Sequence, residues 1–225
     1  MSARWHDATG SGSTYYSKPG GGLPRELRLP EGIARLMTTS ETGSALFWSL
    51  AESRLVLPPF PVERTLVHRG WHAGPLQSLL DRPRRVAVFL LRMGGYAVGV
   101  FEGERLVVSK VGTRFVKGRH KKGGSSSSRF ARRREEQARG LFDKSCEELR
   151  TLLEPHREGL QHLVLGGDRH TLQAFEKRCP YLSSLAPIRL QRVLEVPDPR
   201  LKVLQSAARF LYESRVATFK PELPT

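Results

Sequence analysis

The feature that most limits how this chain can fold is the span from Arg105 to Arg134, which contains no Asp or Glu. Its centre reads Lys117-Gly118-Arg119-His120-Lys121-Lys122-Gly123-Gly124-Ser125-Ser126-Ser127-Ser128-Arg129-Phe130-Ala131-Arg132-Arg133-Arg134. Like charges this dense repel one another, and burying them without counter-charges costs far more than a core can return. The span therefore belongs at a surface, and the rest of the chain has to be a platform that presents it. Paired glycines and a serine run make a flexible tip, and the arginines beyond it lead straight into a helix.

The same bias runs through the whole protein, whose formal net charge is +15 over 225 residues. Such a charge favours nucleic acid or an anionic membrane surface as partner. No uninterrupted apolar run is long enough to cross a bilayer, and the N-terminus has no apolar segment of signal-peptide type. A soluble cytoplasmic monomer that binds RNA or a ribonucleoprotein is expected. Cys146 and Cys179 have neither metal spacing nor the look of a disulfide framework, which fits a reducing compartment.

Four stretches follow from pattern. Residues 1–22 are rich in Gly, Ser and Thr and read as a flexible tail, with Tyr15 and Tyr16 able to dock. Residues 23–84 read as an N-terminal extension packed on the main domain. In it a short helix opens at Pro30-Glu31, strands cover Ala45–Trp48 and Leu55–Leu57, Phe60 packs beneath a proline-rich exit, and helical turns cover Leu76 to Leu80. Residues 85–217 form the main domain, with the basic loop at 112–129, and 218–225 a C-terminal tail.

In the main domain Val86–Leu91, Tyr96–Phe101 and a strand starting at Leu106 are joined by Gly-containing turns, which predicts an antiparallel meander. A long helix with Ala138, Leu141, Phe142, Ser145, Leu149 and Leu152 on one face follows, capped among Ser126 to Ser128 and stopped by Pro155. Then come a strand at Leu163–Leu165, a helix capped by Asp168, a strand over Ile188–Val196 and a last helix reaching Arg215. The order βββαβαβα is that of an α/β, ribonuclease H-like mixed sheet, carrying an N-terminal β-containing extension.

That topology alone does not fix a chemistry. Two-metal nucleic-acid hydrolysis needs converging carboxylates, and the first strand of the meander carries none. Glu102 and Glu104 sit in a turn, and His156, His162 and His170 are scattered and read as surface residues. Cys146 reads as a core residue rather than a nucleophile. Gly166-Gly167-Asp168 lacks the spacing of a phosphate loop and reads as a turn with an N-cap. Neither a metal nor an organic cofactor is expected. The basic loop remains, its glycines allowing close backbone approach to phosphates that Arg and Lys neutralise.

The run from Gly118 to Gly124, followed by Arg129-Phe130-Ala131-Arg132-Arg133-Arg134-Glu135-Glu136, resembles the Gly-Gly-Gln loop and next helix of the middle domain of archaeal and eukaryotic class I release factors. It resembles still more closely the bacterial branch of the Vms1-like release-factor family, as does Leu55-Val56-Leu57-Pro58-Pro59-Phe60-Pro61. The resemblance implies a loop that enters the peptidyl transferase centre of the large ribosomal subunit and meets the end of a peptidyl-tRNA. It implies separation of chain from tRNA in stalled complexes, by ester hydrolysis or by cutting the tRNA. Gly123 and Gly124 carry over as the loop glycines. Lys117, Arg119, His120, Lys121, Lys122, Arg129, Arg132 and Arg133 carry over as contacts to rRNA or tRNA.

The family Gln is absent. Release factors place it where this chain has Ser125, and the Vms1-like pattern places it at Ser126 or Ser127; the nearest Gln is Gln137. Ser125, Ser126 and Ser127 are therefore the water-facing candidates. A non-catalytic ribosome binder and a general RNA-binding protein stand as the alternatives.

Overall fold

In the computed structural model, which describes residues 12–24, 26–116 and 127–221, alternating apolar runs become two separate five-stranded sheets. The chain divides into two compact units, one of residues 1–82 and 211–225, the other of residues 83–210.

The first unit begins with β1 (Ser13–Ser17) and continues with α1 (Glu31–Thr39), β2 (Ser44–Trp48), β3 (Ser53–Leu57), β4 (Leu66–Arg69) and α2 (Gly74–Asp81). The sequence reading of a flexible tail over 1–22 fails at 13–17, because β1 lies between β2 and β4 and pairs with both. The reason is local polarity put to structural use. Thr14 Oγ1 donates to Gly70 O at 2.8 Å and accepts from His72 N at 2.9 Å, while Tyr16 Oη donates to His72 O at 2.7 Å. Alternation sends Tyr16, Phe47 and Val56 to one face of this sheet with Leu76, and Tyr15, Leu46 and Leu55 to the other with Ile33 and Met37. Phe60 is fully buried, edge-on to Tyr212.

In the second unit β5 (Arg85–Arg92), β6 (Gly95–Glu102) and β7 (Arg105–Thr113) form the expected meander. There follow α3 (Ser127–Leu153), β8 (His162–Gly167), α4 (Arg169–Glu176), α5 (Pro180–Ser184), β9 (Arg189–Leu194) and α6 (Leu201–Leu211). The strand order is β7-β6-β5-β8-β9, with β5, β8 and β9 parallel. This is the ribonuclease H-like mixed sheet that the order of elements predicts. Phe89, Leu91, Tyr96, Val98, Leu163 and Leu165 face a core closed by Leu141, Leu149, Leu172 and Phe175 of the helices.

Three further expectations are corrected. The last helix ends at Leu211, and β10 (Arg215–Phe219) pairs antiparallel with β3. The compact second unit ends at 210, and Thr218 and Phe219 are strand rather than tail. Cys146 and Cys179 are joined as a disulfide with Cα atoms 5.5 Å apart, so the cysteine pattern is no argument for a reducing compartment. The fold brings α3 against the end of α4, an approach that a spacing of 33 residues could not disclose. His162 is half-buried at the start of β8, and its burial, with Arg84 and Arg192 nearby, brings its pKa down to about 4.

Candidate functional site

Strand direction fixes where the basic segment emerges. β5 and β7 both run antiparallel to β6, so Thr113 at the end of β7 lies on the same edge of the sheet as the carboxyl ends of β5, β8 and β9. The chain is pinned as it leaves that edge. The Arg114 backbone N–H donates to Gly94 O at 3.0 Å. Its guanidinium donates from Nη1 to Gly140 O on α3 at 2.9 Å. A Cβ at Gly140 would sit 2.7 Å from that guanidinium and push it aside. Gly112 is equally constrained, because the Tyr96 ring of the adjacent strand lies where its Cβ would point, 2.3 Å away. Phe115 is 76% exposed, whereas Val116 is half-buried against the core.

The bond from Arg114 sets Gly140 level with the sheet edge. From there α3 runs down over the core, burying Leu141, Phe142, Ser145, Leu149 and Leu153. Two neighbouring ties hold this half. Arg178 grips Asp143 with two bonds of 2.6 and 2.8 Å, and Cys146 is bonded to Cys179 one helical turn on. In the other direction none of residues 128–140 is buried. At 1.5 Å per residue this half stands about 20 Å beyond the edge.

Arg129, Arg132 and Arg133 lie on this projecting half at i, i+3, i+4 spacing and are exposed. Among the described residues none of the three makes an ion pair, whereas Arg139 of the same half is held by Glu135 at 2.5 Å. Phe130 is 37% exposed. Ser127 is the first residue of α3. Lys117, Arg119, His120, Lys121, Lys122, Gly123, Gly124, Ser125 and Ser126 lie outside the described residues. The structure therefore groups three of the sequence-derived positions on one stripe and leaves the loop residues untested.

Two features escape the sequence reading. Arg114 is part of the basic span, but its tie to Gly140 depends on the crossing of β7 and α3. A crevice of about 560 Å³ opens at the carboxyl ends of β5, β8 and β9, where Arg92, Asp168, Arg169, His170 and Glu195 line it. Asp168 is the N-cap that the sequence predicts, accepting from Thr171 N at 2.8 Å and from Thr171 Oγ1 at 2.6 Å. Those bonds, with His170 and Arg92 nearby, hold its carboxyl below the usual range. Among the described residues, no helix is long and apolar enough to cross a membrane.

The sequence model of the Actinobacteria/chloroflexi VLRF1 release-factor family matches residues 84–217, more than half of the chain. Peptide chain release factor subunit 1 of Archaeoglobus fulgidus is 29% identical over 125 residues, covering 55% of this chain and 31% of that protein. Its counterpart in Methanopyrus kandleri is 28% identical over 125 residues, covering 55% and 30%. The chain thus spans about a third of the length of these relatives. Among solved structures, the archaeal translation termination factor aRF1 overlays with a TM-score of 0.45 at 19% identity, covering 91% of this chain and 65% of that one. The Vms1 mitochondrial localization core overlays with a TM-score of 0.39 at 12% identity, covering 86% and 81%.

Proposed function

Because this chain belongs to the Actinobacteria/chloroflexi VLRF1 release-factor family, we propose that it is a cytoplasmic, ribosome-associated rescue factor of release-factor type. It acts as a monomer on peptidyl-tRNA in stalled complexes of the large subunit, with the segment 117–129 inserted at the peptidyl transferase centre. The observation that carries this reading is the projecting half of α3. An exposed arginine stripe, beginning four serines after the double glycine in sequence, stands about 20 Å beyond the sheet edge.

In this reading Gly123 and Gly124 let the backbone approach the CCA end closely. Lys117, Arg119, His120, Lys121, Lys122, Arg129, Arg132 and Arg133 neutralise phosphates of rRNA and tRNA. Ser125, Ser126 and Ser127 supply hydroxyls that orient the attacking water. Water adds to the ester carbonyl, the ester bond breaks, and the 3′-hydroxyl of the tRNA leaves with a proton. A hydroxyl reaches less far than the Gln amide of release factors, and losing one positioned donor lowers the rate by roughly 10²–10³.

A second reading has its own observation. Serine at every position from 125 to 128 suits a protein that occupies the centre without cutting, as a protective ribosome binder.

The test is release of a labelled nascent chain from purified peptidyl-tRNA–large-subunit complexes, with the tRNA product resolved on a gel. Release by wild type that is lost in Gly123→Ala/Gly124→Ala supports the enzyme, and the length of the tRNA separates ester hydrolysis from tRNA cleavage. Confirmed binding without release supports the protective binder. A Ser127→Gln variant that then gains release would identify the missing amide as the cause.

A further inference from the structure

The crevice at the carboxyl ends of β5, β8 and β9 lies outside the loop-and-helix site, and its position in the sheet is informative. From β5 the chain turns by a hairpin to β6 on one side, whereas β8 arrives on the other side after α3. The order of strands thus reverses at β5. In open α/β sheets such a switch point leaves a crevice outside the carboxyl ends of the strands, and ligands bind there. Here it measures about 560 Å³, within the range of sites that hold small ligands and of a size for one nucleotide unit.

Two arginines, Arg92 and Arg169, face two carboxylates, Asp168 and Glu195, on its lining, with His170 beside Arg169. Asp168 is engaged by both the amide and the hydroxyl of Thr171. Arg92 Nη1 donates to Val196 O at 2.6 Å, which fixes its guanidinium against the wall formed by the segment after β9. Arg169 and His170 are exposed on the opposite rim. Glu195 is the one carboxylate on the lining for which no bond within the crevice is seen among the described residues.

The crevice also faces the same way as the projecting half of α3. Both lie on the edge where β5, β7, β8 and β9 end, and β7 and β8 are three strand positions apart. At about 4.8 Å per position that separation is about 14 Å. Arg129, Arg132 and Arg133 lie a further distance of about 10–17 Å along the projecting half from Gly140, so a nucleic-acid strand of several nucleotides spans the stripe and the crevice.

We propose that this crevice is a second RNA contact, receiving one phosphate with its sugar and base from the strand that the basic half of α3 holds. The proposal rests on the RNA-docking reading above and names a part of the surface which that reading does not use. Arg169 and His170 meet the phosphate, Arg92 shapes the wall, and Glu195 limits the affinity.

The experiment is fluorescence titration of the full chain with a labelled single-stranded RNA of about 12 nucleotides ending in CCA, over a series of salt concentrations. Arg169→Glu/His170→Ala should bind about tenfold more weakly, with a salt slope lower by about one. Glu195→Gln should bind about threefold more tightly. An unchanged Tm identifies these effects as binding effects. The same RNA carrying 4-thiouridine should cross-link to peptides containing residues 167–170 or 193–197. Wild-type affinity and slope in the crevice variants, alongside weakened binding by an Arg129→Glu/Arg132→Glu/Arg133→Glu variant, would overturn the proposal and leave the docking reading standing. Failure of the wild-type protein to bind RNA at all would overturn both. Cross-links confined to residues 127–140 would also count against the crevice.

Discussion

The two halves of α3 differ sharply in burial. From Leu141 onward the helix buries Leu141, Phe142, Leu149 and Leu153, and is tied by Asp143 to Arg178 and by Cys146 to Cys179. Before Gly140 none of residues 128–139 is fully buried, and Arg129, Arg132 and Arg133 are exposed. An isolated helix of this length is marginal in water, so the projecting half depends on continuing a helix whose nucleus is packed elsewhere. The pair Glu135–Arg139 adds local support. Residues that determine the fold and the exposed arginines proposed to face a partner thus occupy one element without sharing positions. Their substitutions should have separable consequences.

The sharpest way to break that separation is to compare Leu149→Ala with Arg129→Glu/Arg132→Glu/Arg133→Glu. Leu149 is fully buried, and its truncation should lower stability by about 4 kcal/mol in urea unfolding. The triple variant should stay within about 0.5 kcal/mol of wild type. A triple variant as unstable as Leu149→Ala would show that the basic half helps to hold the fold. Next comes the disulfide, which closes a segment of 33 residues. Reduction should cost about 3.7 kcal/mol by loop-closure entropy, seen as a lower unfolding midpoint with reductant, and Cys146→Ser should reproduce the loss. No response to reductant would mean that packing and the Arg178–Asp143 pair hold this half unaided. Smaller again, Gly112→Ala should cost about 2 kcal/mol by crowding the Tyr96 ring. Thermal melts would show whether β7 yields there.

A further effect concerns pH. His162 has a folded-state pKa of about 4, below its ordinary value of 6.5. The unfolded chain therefore takes up this proton first. Stability is fully present above pH 6.5 and is lost as pH falls toward 4. Asp143 and Asp168 are also held below their usual range, so their contributions fade below that window. His162→Gln should flatten the stability profile between pH 6.5 and 4 and leave the more acidic limb unchanged. A profile identical to wild type would show that His162 is better solvated than its half-buried position implies.

The second unit was legible because its signals are local. Val86–Leu91 and Tyr96–Phe101 are apolar runs separated by Gly94-Gly95, and the apolar face of α3 repeats through Leu141, Ser145 and Leu149. What escaped depends on distant partners. The residues of β1 are flanked by Gly and Ser, and pairing with β2 and β4, with the bonds of Thr14 and Tyr16 to Gly70 and His72, makes them a strand. Arg215 ends a helical pattern in sequence, yet Arg215 to Phe219 pair with Ser53 to Leu57 once the chain returns to the first unit. The approach of Cys146 to Cys179 and the burial of His162 likewise exist only after folding. At the candidate site, the density of arginines disclosed the stripe on α3. The crevice gave no such sign, since Arg92, Arg169, His170 and Glu195 come from three separate places in the chain.

The measurement closest to the central claim is co-sedimentation with purified large ribosomal subunits across a salt series, for wild type and Arg129→Glu/Arg132→Glu/Arg133→Glu. The account predicts that wild type pellets with the subunits at physiological salt. The variant should stay in the supernatant, with an unchanged Tm and a shallower salt dependence. Equal pelleting of the two proteins at every salt concentration would contradict it, because the projecting half of α3 would then carry none of the docking.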